Sequence, residues 1–343
     1  AGLFPEEIAA AYGIAPFQGR QIFQWIHKRR VFAYDAMTDL AKALRARLES
    51  LGPAVPLTLL EERRSEKTGT RKVLLGLRDG ETIESVLLRD GDRITICVSS
   101  QAGCALNCAF CATGHAGFVR DLDPAEIAGQ SLVLLADEAL GDRTPNIVYM
   151  GMGEPFRNYD NMAKSIRLLM HPTGVGIGAR KITVSTAGDV PGITRFAQED
   201  WQVRLGVSLH AANDTLRDRL VPLNRAYPLD KLRAALQHYQ QATGRQFTFE
   251  WTLLGGVNDT PRDADELARF IGNLDVSVNV IPWNPAPDLP FSPPEARAVT
   301  TFLACLAQQG INATLRHEKG QDKTPLAANR AAANRNRQHT SRL

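Results

Sequence analysis

The sequence predicts an α/β fold: a six-stranded parallel sheet with crossover helices, preceded by a small helical region. Three observations predict it. First, from residue 94 onward short β-prone runs alternate with helical patterns. ITICV, NIVYM, KITVS, RLGVS, FTFEWTL and SVNVI each lead into a helix-like stretch, the rhythm of βα units. Second, residues 1–50 carry apolar side chains at helical spacing through Phe17, Ile22, Trp25 and Ile26. Third, Gly52-Pro53-Ala54-Val55-Pro56 breaks that pattern, and the alternating runs RKVLLGL and ETIESVLL follow, separated by the hairpin signal Asp79-Gly80. The expected organisation is a helical accessory domain over 1–50, a β-rich lead-in over 51–90, the α/β body over 91–318 and a tail over 319–343.

The helices expected after the strands lie in DPAEIAGQSLVLLADEAL, NMAKSIRLLM, DVPGITRFAQ, HAANDTLRDRL, PRDADELARFI and PPEARAVTTFLACLAQQ. In parallel β/α barrels the chemistry sits on loops after the strand C-termini. Those loops are therefore where candidate residues belong.

Composition narrows the class. The chain has 343 residues, 44% hydrophobic, enough for one large domain and a smaller one. Of five cysteines, three fall in one motif, leaving no even disulfide framework; a reducing, cytoplasmic setting is expected. ITICV and SLVLLA are far too short to span a bilayer, and no secretory signal opens the chain, so no membrane partner is expected. The first residue, Ala1, suggests a truncated or processed start. Net charge is only +3, but basic residues cluster at Lys28, Arg29 and Arg30, at Arg63, Arg64, Lys67, Arg71 and Lys72, and from Arg330 to Arg342. Such clusters neutralise phosphates in RNA-binding proteins, and solvated charged faces look the same.

The most informative feature is GCALNCAFCATG, where Cys104, Cys108 and Cys111 stand in C-x3-C-x2-C spacing. Three thiolates on one loop are soft ligands for iron–sulfur, zinc or copper. A four-iron cluster held by three cysteines keeps one iron open to another ligand. With His115 the same residues could instead close a structural Cys3His zinc site.

Other candidates sit at strand ends. Gly151-Met152-Gly153-Glu154-Pro155 follows the second strand, where glycines let backbone approach a ligand, although tight βα turns use them routinely. Ser185 ends the third strand and Ser208-Leu209-His210 the fourth; helix capping, by Ser185 or Asn213, is the alternative. Asn284, in IPWNP, is held between two prolines after the sixth strand. Glu84 reads from pattern alone as a surface strand carboxylate, and Cys97 as a small buried hydrophobe.

The combination TICVSSQAGCALNCAFCATG, MGMGEP, KITVSTAG, VSLHAANDTLRDRLVPLN and IPWNP resembles the dual-specificity ribosomal and transfer RNA adenine-C2 methyltransferases, a family of radical S-adenosylmethionine enzymes. It also resembles the sister family acting at C8 of the same adenine; the match of GCALNCAFCATG points to C2. The resemblance runs from PFQGRQIFQWIHK to the last strand, ATLRHEKG. It implies a partial (β/α)6 radical-SAM barrel with a helical N-terminal RNA-binding domain. By it, Cys104, Cys108 and Cys111 hold a [4Fe-4S] cluster, and Gly153, Glu154, Ser185, Ser208, Leu209, His210 and Asn284 contact S-adenosylmethionine. Glu84 matches the proton acceptor and Cys97 the resolving cysteine. The implied chemistry transfers a methyl group to a protein cysteine, converts it to a carbon radical that adds to the ring, and frees the base by disulfide formation. The implied partners are 23S rRNA, tRNA and a small electron-transfer reductant, and the expected state is a monomer.

One departure stands out. The family's methyl-carrying cysteine belongs in a G-x-D-x-x-A-A-C-G-Q segment, but this chain reads GQDKTPLAANR from Gly320, with no cysteine after Cys305. Cys305 lies in the apolar helical pattern TFLACLAQQ and reads as core. Lys323 to Arg330 admits the codons AAG ACG CCG CTT GCG GCC AAC CGC. From the third base these read Asp-Ala-Ala-Cys-Gly-Gln-Pro, so a single-base slip after Asp322 is expected, with an out-of-frame tail behind it. Resequencing decides it.

Overall fold

The structure is a computed structural model that describes residues 1–138, 143–286 and 289–316. The C-terminal segment bearing the expected cysteine motif and frame slip lies outside the described residues.

The chain opens with α1 (Pro5–Tyr12) and α2 (Pro16–Phe23), each starting on a proline where the lost N–H has no helical partner. A π turn (Gln24–Lys28) continues α2, and α3 (Lys42–Leu51) completes the helical region. Ile22, Phe23 and Ile26 bury with Met37, Leu44 and Leu48, and the group packs onto Leu132 and Leu168 of the α/β body. The expected apolar face holds except at its rim. Phe17 is exposed, and Trp25 lies under Arg29, 3.9 Å from its ring centroid.

The lead-in forms β1 (Thr58–Arg64), β2 (Arg71–Gly76) and β3 (Thr82–Asp90), an antiparallel meander. Its second turn closes at Asp79-Gly80, where Asp79 accepts from the Glu81 amide and Gly80 takes φ 87°. β3 then pairs antiparallel with β4 (Arg93–Cys97), so this flank and the α/β body share one sheet.

A hairpin of β5 (Gln101–Gly103) and β6 (Phe118–Asp121) follows, enclosing the short α4 (Ala112–His115). Then come α5 (Pro124–Leu135), β7 (Asn146–Tyr149), α6 (Tyr159–Met170), β8 (Ile182–Thr186), α7 (Val190–Phe196) and β9 (Arg204–Ser208). Two helices follow β9, α8 (Asp214–Leu220) and α9 (Leu229–Thr243). The chain proceeds through β10 (Phe247–Leu253), α10 (Pro261–Ile271), β11 (Val276–Pro282), α11 (Ala296–Gln308) and β12 (Ala313–Leu315). The sheet order is β1-β2-β3-β4-β7-β8-β9-β10-β11-β12, parallel from β4 to β12.

All six expected strands form, and the short β12 adds a further parallel strand at the edge. The elements not anticipated include the β5–β6 hairpin and α9. The β5–β6 hairpin has strands of three and four residues, too short to show a period. α9 buries Leu229, Leu232, Leu236 and Tyr239, a helical spacing that lies beyond the pattern read after RLGVS.

The sheet's two faces differ. Ile96, Ile147, Val184, Val207, Phe249, Trp251, Val278 and Val280 are at most 1% exposed and pack into the main core with the flanking helices. Residues alternating with them, Cys97, Ser185, Ser208, Glu250 and Asn279, are polar. Strands buried on both faces usually read as continuous apolar runs. A polar inner face therefore marks a lined interior rather than a second core layer. Cys305, by contrast, packs against the main core from α11, as its apolar surroundings suggested.

Candidate active site

The three cysteines sit on a loop whose base is closed by the β5–β6 hairpin. The Cys104 amide donates to the Gly117 carbonyl at 2.9 Å, and at Gly103 (φ 80°) a Cβ would lie only 1.9 Å from that oxygen. The loop's far side is pinned to the strand ends. Ala109 N donates to the Leu220 carbonyl at 3.0 Å, Trp283 Nε1 donates to the Phe110 carbonyl at 3.1 Å, and the Phe110 ring meets His210 edge-on at 4.6 Å. Cys104, Cys108 and Cys111 are thus held against the ends of α8, β9 and β11.

The thiols are costly to ionise there. Burial pushes Cys104 up to about 11, and it raises Cys108 still further, reinforced by the charges of Cys111, Cys104 and Glu154. Three soft donors that repel one another as thiolates fit a cationic metal–sulfur centre, which removes that repulsion. His115 directs Nε2 to the Ala109 carbonyl at 3.1 Å, and among the described residues no three His, Cys, Asp or Glu side chains close on a single metal ion. With His115 bonded to its own loop's backbone, the three cysteines remain as the loop's soft donors, a set that suits an iron–sulfur cluster.

Beside the loop, the turn after β7 is braced by Glu154, only 3% exposed. Its Oε1 accepts from Phe156 N at 3.1 Å and its Oε2 from Ala187 N at 2.7 Å, while burial pushes the carboxyl up to about 7. Gly153 takes φ 100°, and a Cβ there would fall 2.5 Å from that of Gln101. Gln101 ties the turn to the hairpin, accepting from Glu154 N at 2.8 Å and donating to Asp121 at 2.7 Å.

Ser185 and Ser208 face each other across β8 and β9, their hydroxyls 3.5 Å apart. Capping of α8 falls to Asn213, which accepts from Leu216 N at 2.8 Å. Leu209 is buried, and its amide donates to the Glu250 carbonyl at 3.1 Å. His210 takes φ 61°, a left-handed backbone uncommon outside glycine. Its Nδ1 accepts from Thr252 N at 3.0 Å, which leaves the proton on Nε2, and burial lowers its pKa to about 3. Asn284 lies exposed just beyond β11.

Glu84 and Cys97 occupy the inner face of the antiparallel flank. Val86 pairs with Cys97, which places Glu84 two residues along on the same side. The Glu84 carboxylate lies 3.4 Å from Lys72 Nζ, its Oε1 is buried without a hydrogen-bond partner, and burial raises its pKa against the pull of Lys72. The Ser99 hydroxyl donates to the Glu84 carbonyl at 2.7 Å and accepts from Met152 N at 2.9 Å, which joins this flank to the turn after β7. Burial pushes the Cys97 thiol up to about 11, opposed by Arg316 and Lys72.

The second basic cluster needs correction. Arg71 is not a free phosphate ligand: it is 4% exposed and bonds Glu62 at 2.9 Å, Glu138 at 3.1 Å and the Leu134 carbonyl at 3.2 Å. Arg63 pairs with Glu61, Arg64 with Glu62 and Lys72 with Glu84. Gln101, Trp283 and Arg217, which position the loop and the strand ends, were missed. Their partners are distant in sequence, and no local pattern marks them.

The Radical SAM superfamily model matches residues 98–271, and the model for the ribosomal RNA large subunit methyltransferase N-terminal domain matches residues 6–52. The chain is 46% identical to a probable dual-specificity RNA methyltransferase RlmN of Heliobacterium modesticaldum, covering 94% of this chain and 86% of that protein. It is also 46% identical to the corresponding protein of Moorella thermoacetica, covering 94% and 93%. A solved radical SAM methyltransferase from Sphaerobacter thermophilus superposes with a TM-score of 0.90 at 46% identity, covering 94% of this chain and 95% of that one. The chain belongs to the RlmN family of dual-specificity RNA methyltransferases, within the radical SAM superfamily.

Proposed function

We propose that the chain is a radical S-adenosylmethionine RNA methyltransferase directed at C2 of an adenine in 23S rRNA and tRNA. We propose further that, as written, it stops before methyl transfer. The observation that carries the reading is the three-thiol loop pinned against the ends of β9 and β11, beside Glu154 and His210. A [4Fe-4S] cluster and S-adenosylmethionine are the cofactors of this family. Cys104, Cys108 and Cys111 would hold the cluster, which when bound supplies one electron to the sulfonium.

The chain's own residues do the rest. Gly153 leaves backbone bare at the strand end for the ligand's amino group, and Glu154 fixes that turn through Ala187 N. Ser185 and Ser208 offer hydroxyls to the nucleoside, Leu209 and His210 form a wall there, and Asn284 reads the adenine edge. His210 stays neutral, so it adds no charge beside the sulfonium. Glu84 takes the proton from the methylated carbon, a role suited to a carboxylate whose raised pKa makes it a stronger base. Cys97 is the resolving thiol.

The RNA-facing surface includes the helical region matched by the ribosomal RNA methyltransferase N-terminal model, with Lys28, Arg29 and Arg30 toward phosphate. A small reductant delivers the electron, and the protein works as a cytoplasmic monomer. No helix among the described residues is long and apolar enough to cross a membrane.

Restoring the cysteine tests this. Anaerobically reconstituted protein given S-adenosylmethionine, dithionite and RNA is expected to release 5′-deoxyadenosine without forming 2-methyladenosine. Ala327→Cys, at the position aligned with the family cysteine, is expected to gain 2-methyladenosine by mass spectrometry. Cleavage that persists without methylation in Ala327→Cys would instead favour a radical enzyme of the same fold acting elsewhere.

A further inference from the structure

Arg217, on α8, is 0% exposed, yet its guanidinium bonds only neutral groups. Nε donates to the Leu209 carbonyl at 3.1 Å and Nη1 to Asn224 Oδ1 at 2.8 Å; Nη2 donates to the carbonyls of Ala187 at 2.7 Å and Ser208 at 3.3 Å. Asn224 separates it from two carboxylates, donating to Asp214 at 2.8 Å and to Asp218 at 2.7 Å. The hydrogen bonds are satisfied, but the charge has no direct anion. A buried cation in that position is expensive unless something negative lies close by.

The cysteine loop is what lies close. Ala109 N bonds the Leu220 carbonyl less than one turn beyond Arg217, and Leu106, Cys108 and Phe110 pack with Leu216 and Leu220 of the same helix. Burial lowers the Arg217 pKa to about 10, and negative charge at Cys108, then at Asp214 and Asp218, would oppose that shift.

We propose that Arg217 is the fixed counter-charge of the metal–sulfur cluster on Cys104, Cys108 and Cys111, a positioning residue that raises the cluster's one-electron reduction potential. The assignment rests on the three-cysteine reading. A cluster that takes one electron from a low-potential donor gains one negative charge. A cation fixed nearby in a low-dielectric interior stabilises that reduced form more than the oxidised one. The same side chain ties Ala187, Ser208 and Leu209 together, so charge and strand-end geometry depend on one residue. A purely structural tie would affect stability and leave the potential alone.

The test is a redox titration of the anaerobically reconstituted full chain, followed by electron paramagnetic resonance, for wild type, Arg217→Lys, Arg217→Met and Asp218→Asn. Arg217→Lys keeps the charge and is expected to stay near the wild-type midpoint. Arg217→Met is expected to lower the reduced-to-oxidised ratio at that midpoint roughly tenfold, equivalent to about 59 mV for one electron. Asp218→Asn unmasks the cation and is expected to shift the ratio the other way, by roughly two- to threefold. If Arg217→Met does not fold, the Asp218→Asn shift decides. An Arg217→Met protein with an unchanged midpoint, or no Asp218→Asn shift where Arg217→Met cannot be isolated, overturns the assignment. A wild-type chain that assembles no cluster overturns the cysteine reading and this assignment with it.

Discussion

On the parallel strands β8 and β9, Ser185 and Ser208 stand at strand C-termini, where each βα turn delivers a side chain to the same end of the sheet. On the antiparallel flank, Glu84 sits mid-strand in β3 and reaches the interior only because the strand's alternation turns it inward opposite β4. The first group is held by backbone: Glu154 accepts two amides, Leu209 and His210 are tied to β10, and the cysteine loop bonds helix and strand ends. The second is held by charge, with Lys72 beside Glu84 and Arg71 buried between Glu62 and Glu138. The difference is one of support: backbone hydrogen bonds fix the strand-end residues of the parallel half, whereas burial and a charged neighbour set the ionisation of Glu84 on the flank.

That division can be broken at the flank without touching the strand-end residues. The largest effect is expected for Arg71→Met, which strands Glu138 against Arg89 alone and should cost about 3 kcal/mol of stability in chemical denaturation. Iron content and S-adenosylmethionine cleavage should be unchanged below the transition; their loss would show that the two halves are not separable. Next is Glu84→Gln in the Ala327→Cys background, where methylation should fall about 100-fold or more while 5′-deoxyadenosine release persists. Equal loss of both would place Glu84 in cofactor binding instead.

A smaller effect concerns pH. Burial raises the Glu84 carboxyl and Lys72 opposes it, so the carboxylate proposed to accept the proton forms only as pH rises through a value above the ordinary carboxylate range. Methylation in the Ala327→Cys background should therefore rise with pH on its acid limb, and Lys72→Met should move that limb higher. A limb that stays put or moves lower would mean the Lys72 charge does not reach the reacting carboxylate. Smallest is Gly80→Ala, at a left-handed turn position, expected to cost about 1 kcal/mol with no change in either reaction.

Much of the parallel half was legible because parallel βα units repeat a simple rule, with apolar strands followed by loops that carry chemistry. The places of the glycine turn and the serines followed from it, whereas the cysteines are marked by their own spacing. Glu84 and Cys97 obey no such rule: a lone carboxylate in IESVLL has the same local pattern as any surface strand, and only the family resemblance marked it. Arg71, in a basic run that fits either a phosphate-binding or a solvated face, is neither, because its acidic partners Glu62 and Glu138 lie on other elements. Arg217 lies in the charge-rich helical pattern DTLRDRL, which gives no sign that it is completely buried. Trp283 contacts Phe110 across 173 residues of chain, a pairing that local periodicity does not show.

The central claim is that three thiols on one pinned loop bind a cluster with a corner free for S-adenosylmethionine. The most direct measurement is iron, sulfide and 5′-deoxyadenosine in oxygen-free reconstituted protein under strong reductant. The account predicts about four irons with matching sulfide per chain, together with nucleotide cleavage that Cys108→Ala abolishes. One tightly held zinc, no sulfide and intact S-adenosylmethionine would contradict it.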